Sequence, residues 1–157
     1  LQQRSLPALQ RLAFEEFPTS EPSLPLFGHL YSLIALKEYV QYFEDNDVLT
    51  ILRGGLRGLK ENLPKYDLGK WLIFDLHPSK RCASPGAILK NCTLLKILAT
   101  LTEDDDYAAV AQKWFTYTES PTCKRYYFFR KLWGKIRLRV SAKKYGIDRK
   151  YLKVAPR

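Results

Sequence analysis

At 157 residues, 46% apolar and 27% charged, the chain has the composition of an ordinary globular domain and enough material for one buried core. No apolar run reaches the ~18 residues that a bilayer span needs, because Lys37 interrupts the longest, Leu30 to Val40. The net charge of +10 is unevenly placed: residues 1–119 hold 13 Lys+Arg against 15 Asp+Glu, whereas 120–157 hold 13 against one, so the chain divides into a body (1–119) and a basic tail (120–157).

From Leu26 to Phe43 apolar residues recur at Leu30, Leu33, Ile34, Leu36, Val40 and Phe43, which predicts a helix buried over a broad face. From Asp47 to Leu63 the set Val48, Leu52, Gly55, Leu56, Leu59 and Leu63 gives the clearest helical stripe, with Asp47 as its expected cap. Gly54, Gly55 and Gly58 each cost about 1 kcal/mol against Ala in a helix, so a close neighbour is expected to offset them. Pro64 ends that helix. Lys65 to Gly69 reads as a turn, and Trp71 to Leu76 is short, apolar and aromatic enough for a strand or hairpin arm near 70–77.

His77 to Gly86 is a Pro-, Ser- and Lys-rich loop. A third helix follows with Ile88, Cys92, Leu95, Leu98 and Leu101 in register. The fourth opens on Asp104, Asp105 and Asp106, where negative charge suits a helix N-terminus, and its expected stripe is Tyr107, Val110, Ala111, Trp114 and Phe115. Short connections predict antiparallel helix pairs, an all-α fold like part of an α/α toroid. The tail from Thr122 to Val140 predicts a basic amphipathic helix with Phe129, Leu132, Trp133, Ile136 and Val140 on one face.

Cys82, Cys92 and Cys123 form no CxxC pair and have no nearby histidines, so no metal site is expected. Asn91-Cys92-Thr93 matches the glycosylation sequon but falls inside a helical pattern. The chain begins at Leu1 with no leader and holds no methionine, which reads as a piece lacking any upstream domain or signal peptide.

Phe14-Glu15-Glu16-Phe17-Pro18-Thr19-Ser20, followed by Tyr31-Ser32-Leu33, resembles the signature of D-glucuronyl C5-epimerases, in which an aromatic-Glu-Glu-Tyr-Pro-Thr loop leads into a helix. Leu63-Pro64-Lys65-Tyr66-Asp67-Leu68-Gly69 is similar to the family's Leu-Pro-x-Tyr-Asp-Thr-Gly, and Phe74-Asp75-Leu76 to its aromatic-Asp-Leu. Leu98 to Tyr117 resembles its closing helices.

The resemblance to the C-terminal domain of this family implies epimerisation of D-glucuronate to L-iduronate in an acidic polysaccharide such as heparosan or heparan sulfate precursors, with no cofactor. Such a reaction removes a proton from carbon beside a carboxylate, so it needs that charge neutralised, the enediolate held by donors, and acid and base on opposite faces of the sugar. The resemblance assigns catalytic roles to Glu15, Glu16 and Tyr66. Aromatic faces that stack on sugars and a basic loop that meets carboxylates make Tyr31, Trp71, Phe74, Asp75, His77 and Arg81 the substrate-binding candidates, the Phe74 position through the resemblance itself. By themselves His77, Lys80 and Arg81 read more simply as an exposed basic loop. Taken alone, Glu15 and Glu16 equally suit solvated loop carboxylates, Tyr66 suits packing in a turn, and the tryptophans suit a core.

Phe74 stands where the family has tyrosine, and Ala87, Ile88 and Asn91 stand where it has Tyr-His and a second His. Two functional readings follow: an epimerase domain, or a catalytically impaired module of the same fold that binds glycan or protein. The expected partners are an anionic polysaccharide, a second copy or a missing N-terminal domain, and a membrane surface through 124–140. No nucleic-acid motif is present. A glycosaminoglycan epimerase implies the secretory pathway or the cell exterior, and the residues themselves leave a cytoplasmic location open.

Overall fold

The computed structural model describes residues 23–77 and 80–144, with side chains as far as 134. Within them the chain forms helices α1 (Leu26–Tyr42), α2 (Asn46–Asn62), α3 (Pro85–Thr102), α4 (Asp105–Glu119) and α5 (Pro121–Lys144), with a 3-10 turn at Leu63–Tyr66 directly after α2. The fold is all-α.

Local chemistry sets most boundaries. Asp45, not Asp47, caps α2: its extended backbone lets the carboxylate accept from the N–H groups of Asp47 and Val48, both at 3.0 Å, whereas Asp47 is already helical. Pro64 falls in the 3-10 turn and stops α2. Ser84 caps α3 by accepting from the Ala87 N–H, and Pro85 takes the first helical position, where its missing N–H costs nothing. Between α3 and α4 Glu103 adopts the left-handed conformation (φ 53°) and its N–H returns to the Ala99 carbonyl. Asp104 caps α4, with Asp105 and Asp106 in the first turn.

The core centres on α3, which packs against both α1 and α4, while α1 also packs on α2. Ile88, Leu95 and Leu98 of α3 meet Leu30 and Leu33 of α1, Leu59 of α2, and Ala111 and Trp114 of α4 in one buried cluster. Gly54, Gly55 and Gly58 are all buried, and His29 of α1 donates its Nε2 proton to the Gly55 carbonyl at 3.2 Å. This is the close neighbour that the glycine-rich stripe anticipated. On α4 the buried stripe is Tyr107, Ala111, Trp114, Tyr117 and Thr118. Phe115 lies one step further round the helix and is exposed, with the Lys96 ammonium 6.0 Å from its ring.

The segment expected as a strand or hairpin near 70–77 makes only two isolated antiparallel bridges, Asp67 to Leu72 and Ile73 to Cys82. Its backbone bonds go to separate partners: Ile73 N–H to Tyr66, Phe74 N–H to Arg81, and Leu76 N–H to Ser23. A ladder needs one continuous partner, and here the partner changes every few residues. Trp71, Leu72, Ile73 and Asp75 are nevertheless buried, so the loop is part of the core.

Helix α5 departs from a simple amphipathic helix. Cys123, Tyr126 and Tyr127 pack on the body, whereas Phe129, Leu132 and Trp133 point outward. Among the described residues no helix is long and apolar enough to cross a membrane.

Leu95 is fully enclosed at the centre of α3. Leu95→Ala is expected to lower the unfolding free energy by about 2–5 kcal/mol, through lost burial and a residual cavity. A urea titration measures this as a lower midpoint at unchanged slope.

Burial holds the His29 imidazole below its ordinary value of 6.5, against a smaller opposing effect of the Gly55 bond. The unfolded chain therefore takes up the proton first, and stability falls as the pH drops below about 6.5 until the folded value is passed. His29→Gln should flatten this fall, as followed by thermal unfolding at a series of pH values.

Candidate functional site

Helix α1 presents Phe27 and Tyr31 four residues apart, hence on one face. Lys90 of α3 reaches across both, with its ammonium 4.8 Å from the Phe27 ring centre and 5.1 Å from that of Tyr31. The loop brings Phe74 against Phe27, ring centres 5.7 Å apart, and Arg81 lies 5.5 Å over Phe74. Three aromatic rings and two cations thus form one cluster. Its cations gain from the ring faces, by about 0.5–1 kcal/mol at an exposed site.

Beneath it lies Asp75, fully buried, whose Oδ2 accepts from the Arg81 guanidinium and whose Oδ1 is buried with no hydrogen-bond partner among the described residues. The Arg81 side chain itself is 59% exposed. A buried carboxylate therefore orients an exposed guanidinium, whose planar fork suits a second, external carboxylate.

The residues expected from the sequence do not all meet. Tyr31, Phe74, Asp75 and Arg81 come together in this cluster. Tyr66 and Trp71 do not present their polar atoms to it: the buried Tyr66 hydroxyl donates to the Leu24 carbonyl at 2.7 Å, and the buried Trp71 donates its indole N–H to the Ala83 carbonyl at 2.9 Å. Trp71 stacks on Tyr127 of α5 instead. His77 lies in the same loop, half-buried. Glu15 and Glu16 lie outside the described residues. Of the positions where the resemblance expects Tyr-His and His, Ala87 is half-buried, and Ile88 and Asn91 are buried, Ile88 completely. A side chain at 88 faces the core.

Phe27 and Lys90 were not singled out in the sequence. The spacing of Phe27 and Tyr31 on one helix was the available signal. Lys90 belongs to another element and carried none.

A second constellation surrounds Asp67 in the Leu-Pro-Lys-Tyr-Asp-Leu-Gly turn. Its carboxylate accepts from the Gly69 N–H at 2.7 Å, Lys113 Nζ at 2.8 Å, Trp114 Nε1 at 3.1 Å and the Tyr117 hydroxyl at 3.1 Å. Gly69 sits at φ 78°, where a side chain would be strained. Burial pushes the Asp67 carboxyl up, but Lys113 and the other donors outweigh it and hold it below the usual carboxylate value. Beside it opens a cavity of about 470 Å³, lined by Leu63, Pro64, Val110, Trp114, Lys60 and Tyr107 among others. Lys60 pairs with Asp104 at 2.6 Å, and burial pushes the Tyr107 hydroxyl up to about 12. That hydroxyl stays protonated near neutrality, and the flanking charges are already matched.

The class of protein defined by these observations is an all-α module carrying an aromatic and cationic surface over a buried carboxylate. Comparison with known proteins gives its family: a family model described as D-glucuronyl C5-epimerase C-terminus matches residues 7–116, and the chain belongs to this family. The D-glucuronyl C5-epimerase of Caenorhabditis elegans is 30% identical over 128 residues, covering 71% of this chain and 21% of that protein. The chain thus spans about a fifth of the length of that relative. No solved structure matches.

The Asp67 network generates a stability prediction. Hydrogen bonds to a charged group contribute about 1.5–3 kcal/mol each where buried, so Asp67→Asn should destabilise the fold by about 1–3 kcal/mol near neutral pH. Because the folded carboxyl lies below its ordinary value of 3.8, this stabilisation is present above that pH and lost as the pH falls through the folded value. Chemical denaturation of both proteins should show curves that converge in acid.

Proposed function

We propose that this domain holds the uronate residues of an acidic polysaccharide on the cluster of Phe27, Tyr31, Phe74, Arg81 and Lys90, and serves C5 epimerisation of D-glucuronate to L-iduronate. The observation that supports the reading is the pair of cations set over three aromatic rings, with Arg81 oriented by buried Asp75. Sugar rings stack on aromatic faces, and the guanidinium and ammonium neutralise a uronate carboxylate.

Neutralisation has a chemical consequence. When the C5–H bond breaks, its electron pair moves into the carboxylate to form an enediolate, and two cations lower the energy of that added charge. A proton returned to the opposite face of C5 completes the inversion. Glu15 or Glu16 takes the base role in this reading. The reaction is an isomerisation without net oxidation, so it calls for no redox partner. In this reading the helix pairs form a segment of an α/α toroid.

The second reading, glycan binding without turnover, draws on Phe74, which lacks a hydroxyl, and on Ile88, which fills the core where an imidazole was expected. One experiment separates the two. The protein is incubated with N-acetylheparosan in deuterated water and the polymer is examined for deuterium at C5. Deuterium at C5 establishes the epimerase reading, and binding without deuterium establishes the second.

Arg81→Gln and Lys90→Gln should each weaken heparosan binding by about tenfold, the equivalent of losing one charge-assisted contact. Unchanged affinity in both, measured by calorimetry, would remove the cluster from the site. Of Glu15→Gln and Glu16→Gln, one should abolish C5 exchange with an almost unchanged melting temperature, the outcome expected of a carboxylate whose work is chemical rather than structural. Exchange that survives both substitutions would place the base elsewhere.

A further inference from the structure

Helix α5 has two apolar faces, and the described residues cover only one. On the covered side Cys123, Tyr126 and Tyr127 pack against the body, and Tyr127 stacks on Trp71 with ring centres 4.6 Å apart and planes 18° from parallel. On the other, Phe128, Phe129, Leu132 and Trp133 are 62, 66, 43 and 70% exposed. At 3.6 residues per turn these four occupy one side of the helix, away from the body. The same register continues in sequence to Ile136 and Val140. Soluble domains rarely leave so many large apolar side chains in water without an interaction to make.

The charge around this face narrows what can cover it. Lys124, Arg125 and Lys131 are exposed beside it, and residues 120–157 hold 13 Lys+Arg against a single acid. A second copy would set one basic tail against another. A soluble acidic polysaccharide would meet the lysines and arginines and stack on single rings, but it has no apolar interior to take Phe128, Phe129, Leu132 and Trp133 together. A surface that is anionic outside and apolar just beneath satisfies both groups at once, and Trp and Phe are the side chains that settle at its headgroup level.

We propose that the outward face of α5 docks on an anionic phospholipid surface, lying in its plane rather than crossing it. The basic residues draw the chain to the surface, and Phe128, Phe129, Leu132 and Trp133 enter the interface. Nothing in this docking rests on the uronate site, which lies on a separate surface of the body.

The protein carries its own probe. Of its three tryptophans, Trp71 and Trp114 are buried at 0 and 1% exposure, so quenching by aqueous acrylamide reports mainly on Trp133. The complete 157-residue chain is mixed with phosphatidylcholine vesicles with and without phosphatidylserine, over a salt series. With phosphatidylserine, Trp133 emission should shift to shorter wavelength and its quenching should fall severalfold. Lys124→Glu with Lys131→Glu should weaken co-sedimentation at low salt by about tenfold or more, since each basic residue near such a surface contributes roughly fivefold. Phe129→Ser with Trp133→Ser should keep the melting temperature, because both side chains are exposed, and lose the binding that persists at high salt.

Three results would overturn the proposal. The first is co-sedimentation with Trp133 still fully quenchable. The second is protection of Trp133 by soluble heparosan or heparin but not by vesicles. The third is a blue-shifted Trp133 without lipid, accompanied by dimers in sedimentation velocity.

Discussion

Asp67 accepts hydrogen bonds from four donors, three of them on α4 and one in its own turn, and the placement of the loop that follows depends on it. The turn leaves α2 through Pro64 and must reverse within a few residues to send Trp71, Leu72 and Ile73 into the core. Gly69 supplies the left-handed step, and the carboxylate fixes the turn to Lys113, Trp114 and Tyr117. Such a group is stable as an anion only because its donors outweigh its desolvation. The motif that looks catalytic in sequence is therefore, at its aspartate and glycine, a device for joining two distant parts of the chain.

What that loop carries is the aromatic and cationic cluster. Phe74 and Arg81 lie on either side of a reversal, and the Phe74 N–H to Arg81 carbonyl bond, at 2.7 Å, keeps them together. Lys90 and the α1 rings come from helices whose positions the core determines. An exposed cation loses entropy when it is held in place, and Asp75 offsets that loss for Arg81 by being buried and already aimed. Lys90 has two ring faces instead of a carboxylate. The two cations are thus held by different physics and differ in how freely they can turn toward a ligand.

The helices were legible because burial imposes a 3.6-residue period, and Leu52 and Leu59, or Leu95 and Leu98, show it without help from the rest of the fold. The cap of α2 was misplaced by two residues because Asp45, Asn46 and Asp47 offer similar side chains, and only the backbone conformation of Asp45 decides among them. The 67–83 loop was not legible as a loop: its composition is that of a strand, and only the scattered positions of Tyr66, Ser23 and Arg81 deny it a ladder. Tyr31, Phe74, Asp75 and Arg81 were nominated from the sequence, whereas Phe27 and Lys90 needed coordinates, since a cation over a ring in another element leaves no trace in spacing. Trp71 was expected at the ligand and instead serves the interior.

That tryptophan belongs to two structures at once. Its indole N–H holds the Ala83 carbonyl, in the strip of loop just beyond Arg81, while its ring lies flat on Tyr127 of α5. Whatever occupies the outer face of α5 acts on a helix whose inner face rests on this ring, and whatever reorders the loop moves the ring beneath the helix. The two faces of the molecule therefore share a term in their free energies, and any coupling through that term has to be reciprocal: the amount by which one occupant favours the other is the amount by which it is favoured in return.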